Sequence, residues 1–133
     1  MADHLHLDVV TPTRRLLTED VDDVRLPGVL GELGVLPGHT PLLTSLGTGV
    51  LTYTTGHEQR RLAVQGGFAE VLPDRVTVLA RIAELPEAID AEAAVAARAE
   101  AEAALPTAAA EDIDRLTDEV RLATTRLEVA GRE

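Results

Sequence analysis

The feature that most limits what this chain can fold into is a break in composition at Leu85-Pro86. Nine of the ten glycines and most β-branched residues precede it; Ala, Glu and Arg dominate after it, and only Gly131 remains. Glycine and β-branched residues suit turns and strands, whereas Ala, Glu and Arg favour helix. The chain therefore divides into a strand-rich part, residues 1–86, and a helical part, residues 87–133.

In the first part apolar residues alternate with polar ones, and turn residues punctuate them about every ten positions, the pattern of an antiparallel sandwich or barrel. Leu5, Leu7 and Val9 fall on one face, with His4, His6 and Asp8 on the other, and Thr11-Pro12 ends the run. Val24 and Leu26 alternate with Asp23 and Arg25, while Val21 is out of phase, which implies a bulge or a later strand start. Leu62 and Val64 alternate with Arg61 and Gln65. "FAEVLPDRVTVLA" reads as a hairpin turning at Pro73-Asp74, with Val76, Val78 and Ala80 lining one face of the return strand. Connections are short throughout, which favours antiparallel pairing. The stretch "GELGVLPGHTPLLTSLGTGVL" holds five glycines and two prolines. These read as corners at one end of the sandwich, presenting Glu32 and His39 to neighbours.

The second part reads as two helices forming an antiparallel hairpin. The first starts at about Asp90, a suitable N-cap, and stops before Pro106. The second, from about Asp112 to Ala130, places Ile113, Leu116, Val120, Ala123, Leu127 and Ala130 on one stripe, with acids near its start and arginines near its end. Alanine buries little apolar surface, so such a hairpin is poorly held by itself. It must dock on the sandwich, on another protein, or alternate between them.

Composition excludes several functions. A net charge of −11 with twelve Arg and no Lys argues against nucleic acid and anionic membrane partners, and no run of apolar residues is long enough for direct membrane insertion. The absence of Cys removes disulfides, thiolate nucleophiles and Cys-based metal sites. The start lacks a secretory or transit pattern, so a bacterial cytoplasmic protein is expected. His4 and His6 share a face at a spacing that a metal could use, but no third ligand is evident, and an ordinary exposed strand is the plainer reading. The acidic run at 18–23 lacks the glycine and distal Glu of a calcium loop. His39 has no partner to make it a catalytic base, and the glycines match no phosphate-binding pattern. No cofactor, metal or catalytic residue is expected.

The runs from His4 to Leu51, "VQGGFAEVLPDRVTVLA" and the two-helix tail together resemble the epsilon subunit of the bacterial F-type ATP synthase, most specifically at "GELGVLPGHTPLL". The resemblance implies a β-sandwich plus helical hairpin in a non-catalytic rotor subunit at the cytoplasmic face of the plasma membrane. The sandwich would bind the gamma subunit and the polar loops of the c-ring, with Glu32 toward the ring and His39, Thr11 and Thr44 toward gamma. The hairpin would fold on the sandwich or extend into the catalytic head and restrain ATP hydrolysis, with Arg115, Arg121 and Arg126 as candidates for pairing with acidic residues there. The plainer alternatives are a solvated turn carboxylate for Glu32, a packing turn residue for His39 and a solvated helix face for the arginines. Some family members bind ATP through an Ile-Asp-x-x-Arg-Ala motif. Here Ile89-Asp90 is present but Ala93 replaces the arginine, so Asp90 is a weak nucleotide candidate and affinity should be low. The rival reading is a free-standing sandwich binding ligand or peptide, with a helical dimerisation tail; Tyr53 and Phe68, the only aromatics, give it little platform.

Overall fold

The computed structural model describes residues 4–132. Eight strands are followed by two helices: β1 (Leu5–Val10), β2 (Arg15–Val21), β3 (Asp23–Gly28), β4 (Gly31–Val35), β5 (Leu42–Ser45), β6 (Thr48–Thr55), β7 (Glu58–Leu72), β8 (Arg75–Glu84), α1 (Ala91–Ala104) and α2 (Ala110–Val129). The sheet order is β2-β1-β8-β7-β6-β3-β4, with β5 also on β7. This is the expected β-sandwich with a C-terminal two-helix hairpin.

The alternation in β1 works as its pattern implies: Leu5, Leu7 and Val9 are buried in the core with Val24, Leu26, Val76, Val78 and Ala80. Val21 marks a strand end, because Asp22 breaks the chain between β2 and β3. The hairpin through residues 73–74 forms in the expected register, Leu72 opposite Arg75. One expectation fails: β1 pairs parallel with β8. Short loops dictate antiparallel pairing only between consecutive strands, and β1 and β8 are joined through everything between them.

At 15 residues β7 is far longer than a strand spaced every ten positions would be. Its first half pairs with β6 and its second with β5, so one strand serves both layers. Gly66 and Gly67 make this possible, with φ of 72° and 105° at the bend. The bend also reverses which positions face inward: Leu62 and Val64 enter the core before it, Ala69 and Val71 after it. Ala63 and Gln65 then face outward beneath α2, which lies on β6 and β7. Gln65 is consequently buried, and it donates to Thr48 Oγ1 at 3.0 Å and to the Asp118 carbonyl at 3.3 Å.

Asp90 caps α1 as expected, accepting the Ala93 amide at 3.0 Å. Helix α2 begins two residues before Asp112, and its burial is wider than one stripe. Leu116, Ala123 and Leu127 are buried as predicted, but so are Leu122, Thr125 and Val129, whereas Ile113 is 43% exposed. The reason is that α2 packs against α1 on one side and the sheet on another. The folded, docked arrangement is therefore the one present.

The bend should be intolerant of a side chain. A Cβ on Gly67 would overlap the Leu79 carbonyl oxygen, at a backbone angle that L-residues rarely adopt. Gly67→Ala is expected to destabilise the chain by about 3 kcal/mol or more in urea titration. Gly34→Ala, where a Cβ meets open space, should stay within about 0.5 kcal/mol of the parent.

Candidate functional site

Three surfaces carry the residues that the sequence singles out. The first is the outer face of β1, β8, β7 and β5. Val10, Leu79, Phe68 and Ser45 are cross-strand partners in sequence, so they form one row across four strands. Leu79 and Phe68 are 53% and 54% exposed, and Leu43, also exposed, stands on the same face two residues from Ser45. Thr11 joins this row: with Val10, Pro12, Phe68, Leu79 and Arg81 it lines a shallow depression of about 350 Å³. Thr44 does not, because its partner Ala69 is buried and its hydroxyl faces Gly28. Phe68 and Leu79 were legible as candidates only by their phase, being apolar at positions where their strands turn outward.

The second surface is the β3–β4 hairpin. Its turn, residues 29–30, leaves Val29 and Leu30 exposed and is tied down where the Val29 amide donates to the Ser45 carbonyl at 3.0 Å. Glu32 is exposed beside this turn, opposite Pro27. His39 lies past the far end of β4, where the Gly38 amide donates to the Pro73 carbonyl at 2.7 Å. Its Nδ1 donates to the Thr40 carbonyl at 2.6 Å. The expectation that one end of the sandwich presents both residues is thus corrected: a strand rises about 3.3 Å per residue, and β4 holds them apart.

The third surface is the hairpin. Arg115 pairs with Asp112 at 3.6 Å and Glu119 at 3.0 Å, and Arg121 with Asp118 at 3.9 Å, all within α2. Arg126 is different. Its Nε and Nη2 donate to Glu84 Oε1 and Oε2 at 2.6 and 3.0 Å, joining α2 to the end of β8. Glu84 was not legible as a partner, since 42 residues separate the two. Glu84, Ile89, Asp90, Ala93, Ala94 and Arg126 line one cleft of about 310 Å³. Asp90 already serves as the helix cap there, and Ala93 offers no donor beyond its amide.

His6 stands on the outer face of β1, and exposed His4 directly precedes the strand. His6 Nδ1 donates to Asp20 Oδ1 at 2.9 Å, and its Nε2 lies 3.1 Å from Thr18 Oγ1 and 3.5 Å from Asp8 Oδ1. Among the described residues no group of three or more His, Asp or Glu is arranged to hold a metal ion. The acidic run is committed elsewhere: Asp20 to His6, and Asp22 to the Gly56 amide at 2.7 Å. Thr18 and then His6 hold the Asp8 carboxyl below its usual value against the opposing effect of burial, and the hydrogen bond from His6 does the same for Asp20.

Residues 4–86 match the family model for the ATP synthase delta/epsilon chain β-sandwich domain. The ATP synthase epsilon chain of Geobacter metallireducens is 48% identical over 134 residues, spanning 99% of this chain and 97% of the relative. This chain belongs to the ATP synthase epsilon-chain family. The epsilon chain of Halalkalibacterium halodurans is likewise 48% identical, over 96% of this chain and 98% of that one. In structure the chain is similar to a component of the Euglena gracilis mitochondrial ATP synthase assembly of OSCP, F1 and c-ring, with a TM-score of 0.86 and 24% identity over 99% of this chain and 84% of that one. At that identity the likeness is one of fold. A family member is a non-catalytic subunit of ATP synthase, which removes the free-standing binding module. No described helix is long and apolar enough to cross a membrane.

The depressed carboxyls give a test of the His6 cluster. A carboxyl held low when folded stabilises the chain above its unfolded pKa, about 3.9, and that contribution is lost as pH falls through the folded value. In His6→Ala both Asp8 and Asp20 should titrate closer to 3.8 by carbon-13 NMR. The stability gap between parent and variant that stems from these carboxyls should close in acid.

Proposed function

We propose that this chain is the central-stalk rotor subunit of an F-type ATP synthase, linking gamma to the c-ring and restraining ATP hydrolysis through its hairpin, at the cytoplasmic face of the bacterial plasma membrane. The observation that carries the reading is the row of exposed Leu79 and Phe68, continued by partly buried Val10, on a family member's sandwich. A large side chain left half-exposed beside another, rimmed by polar residues, marks a protein contact. We assign this face, with Thr11, to gamma. His39, at the β7–β8 end, and Thr44, which supports the β3–β4 hairpin from inside, act at the margins of that contact. Glu32, with Val29 and Leu30 beside it, is assigned to the polar loops of the c-ring, where an exposed carboxylate sets register against basic or polar groups.

Co-purification tests the gamma contact. Phe68→Glu combined with Leu79→Glu should weaken retention of gamma by about tenfold or more, because charges would be buried without partners. Both positions face solvent in the lone chain, so its thermal stability should change little. Unchanged retention would move the contact elsewhere.

For nucleotide, the cleft beside Asp90 lacks the bidentate donor that an arginine supplies to phosphate. The parent chain is expected to show no heat of ATP binding at micromolar concentration in calorimetry. Ala93→Arg, which restores a guanidinium at the exposed mouth of the cleft, should produce measurable affinity.

A further inference from the structure

The arginines of α2 differ in what happens to them if the hairpin leaves the sandwich. Arg115 and Arg121 pair with acids on their own helix, so those pairs travel with it. Arg126 alone among the described arginines bonds across from the hairpin to the sandwich, in a two-pronged pair whose side chains are only 29% and 28% exposed. Its partner Glu84 is the last residue of β8, directly before Leu85 and the single turn Pro86–Ala88 that leads into α1. The pair therefore sits at the hinge. Apolar packing also docks the hairpin, since Leu116, Leu122, Ala123, Leu127 and Val129 of α2 are buried where it meets α1 and the sheet. Helix α1 rests on α2 and buries only Ala94 and Ala101. The sheet beneath α2 presents Thr48 and Gln65 among its contacts, and Gln65 supplies one further hydrogen bond, to the Asp118 carbonyl.

We propose that Glu84 and Arg126 form the latch that keeps the hairpin folded, and that Arg126 can hold either Glu84 or an acidic surface of a partner, but not both. Half-buried and bidentate, the pair is stronger than an exposed one and is lost as a unit when the hinge opens. This rests on the reading of the hairpin as a restraint on hydrolysis, but the latch itself is a property of the isolated chain.

Hydrogen exchange on the full-length chain reads the latch directly. Glu84→Gln keeps the shape of the side chain and removes its charge. It should speed exchange across residues 110–129 by roughly tenfold, the scale of one lost charged hydrogen-bond pair, while amides of β7 and β8 in the core keep their protection. Arg126→Gln should act similarly and Arg126→Lys should fall between, since a lysine cannot make the fork. Unaltered exchange in α2 would overturn the latch. So would equal acceleration in helix and strands, which signals general destabilisation. In the assembled complex Glu84→Gln leaves Arg126 free for its partner and should lower ATP hydrolysis, whereas Arg126→Gln removes both contacts and should not. Faster exchange with unchanged hydrolysis in both variants would uphold the latch and overturn the inhibitory reading.

Discussion

The bend of β7 at Gly66 and Gly67 is the constraint on which the other surfaces depend. A strand in regular geometry offers one parity of side chains to each face. By reversing parity within β7, the bend sends Leu62 and Val64 into the core on one side and Ala69 and Val71 on the other. It thereby turns Ala63 and Gln65 toward α2 and Phe68 and Glu70 toward solvent. The exposed apolar row and the hairpin dock are thus consequences of a single backbone feature. The carbonyl of Leu79, which occupies the space a Cβ of Gly67 would need, shows how closely β8 follows it.

Local order was legible in the sequence where a residue's environment is set by its neighbours in the chain. The alternation of β1, the turn at Pro73-Asp74 and the cap at Asp90 all follow from a few consecutive residues. What escaped depends on distant packing. Gln65 reads as an outward polar residue and is buried because a helix far along the chain covers it. Leu122, Thr125 and Val129 fall off the simple stripe because α2 has two neighbours. The parallel pairing of β1 with β8 and the bond between Glu84 and Arg126 leave no trace in local pattern. Of the candidate site residues, Thr11 stands beside the apolar row, whereas Glu32 and His39 lie at opposite ends of β4.

Charge distribution bears on how partners are chosen. The helical part carries twelve acidic residues against five arginines. A hairpin of that sign is repelled by an acidic surface at long range, so any contact with one must come from individual arginines at close quarters. Intrahelical pairing of Arg115 and Arg121 lowers their availability further, although exposed pairs of this kind contribute little and exchange readily. Selectivity then lies in geometry: a partner must present its carboxylates where a few guanidinium groups can reach them, and mismatched surfaces are rejected by the surrounding acids.

The same balance bears on why α1 is so poor in large side chains. A face of Leu and Ile on α1 would bury enough apolar area to fix the hairpin permanently to α2 and the sheet. Alanine leaves the folded arrangement resting on the contacts of α2 and on polar groups at the hinge. Polar contacts are exchangeable, because a guanidinium released from one carboxylate can be satisfied by another at little net change. Apolar burial has no such substitute unless a partner offers an equal surface. An element that alternated between two sites would be best held by contacts that either site can supply, and the pairing of Ala-rich α1 with the charged groups at the end of β8 and on α2 would meet that condition.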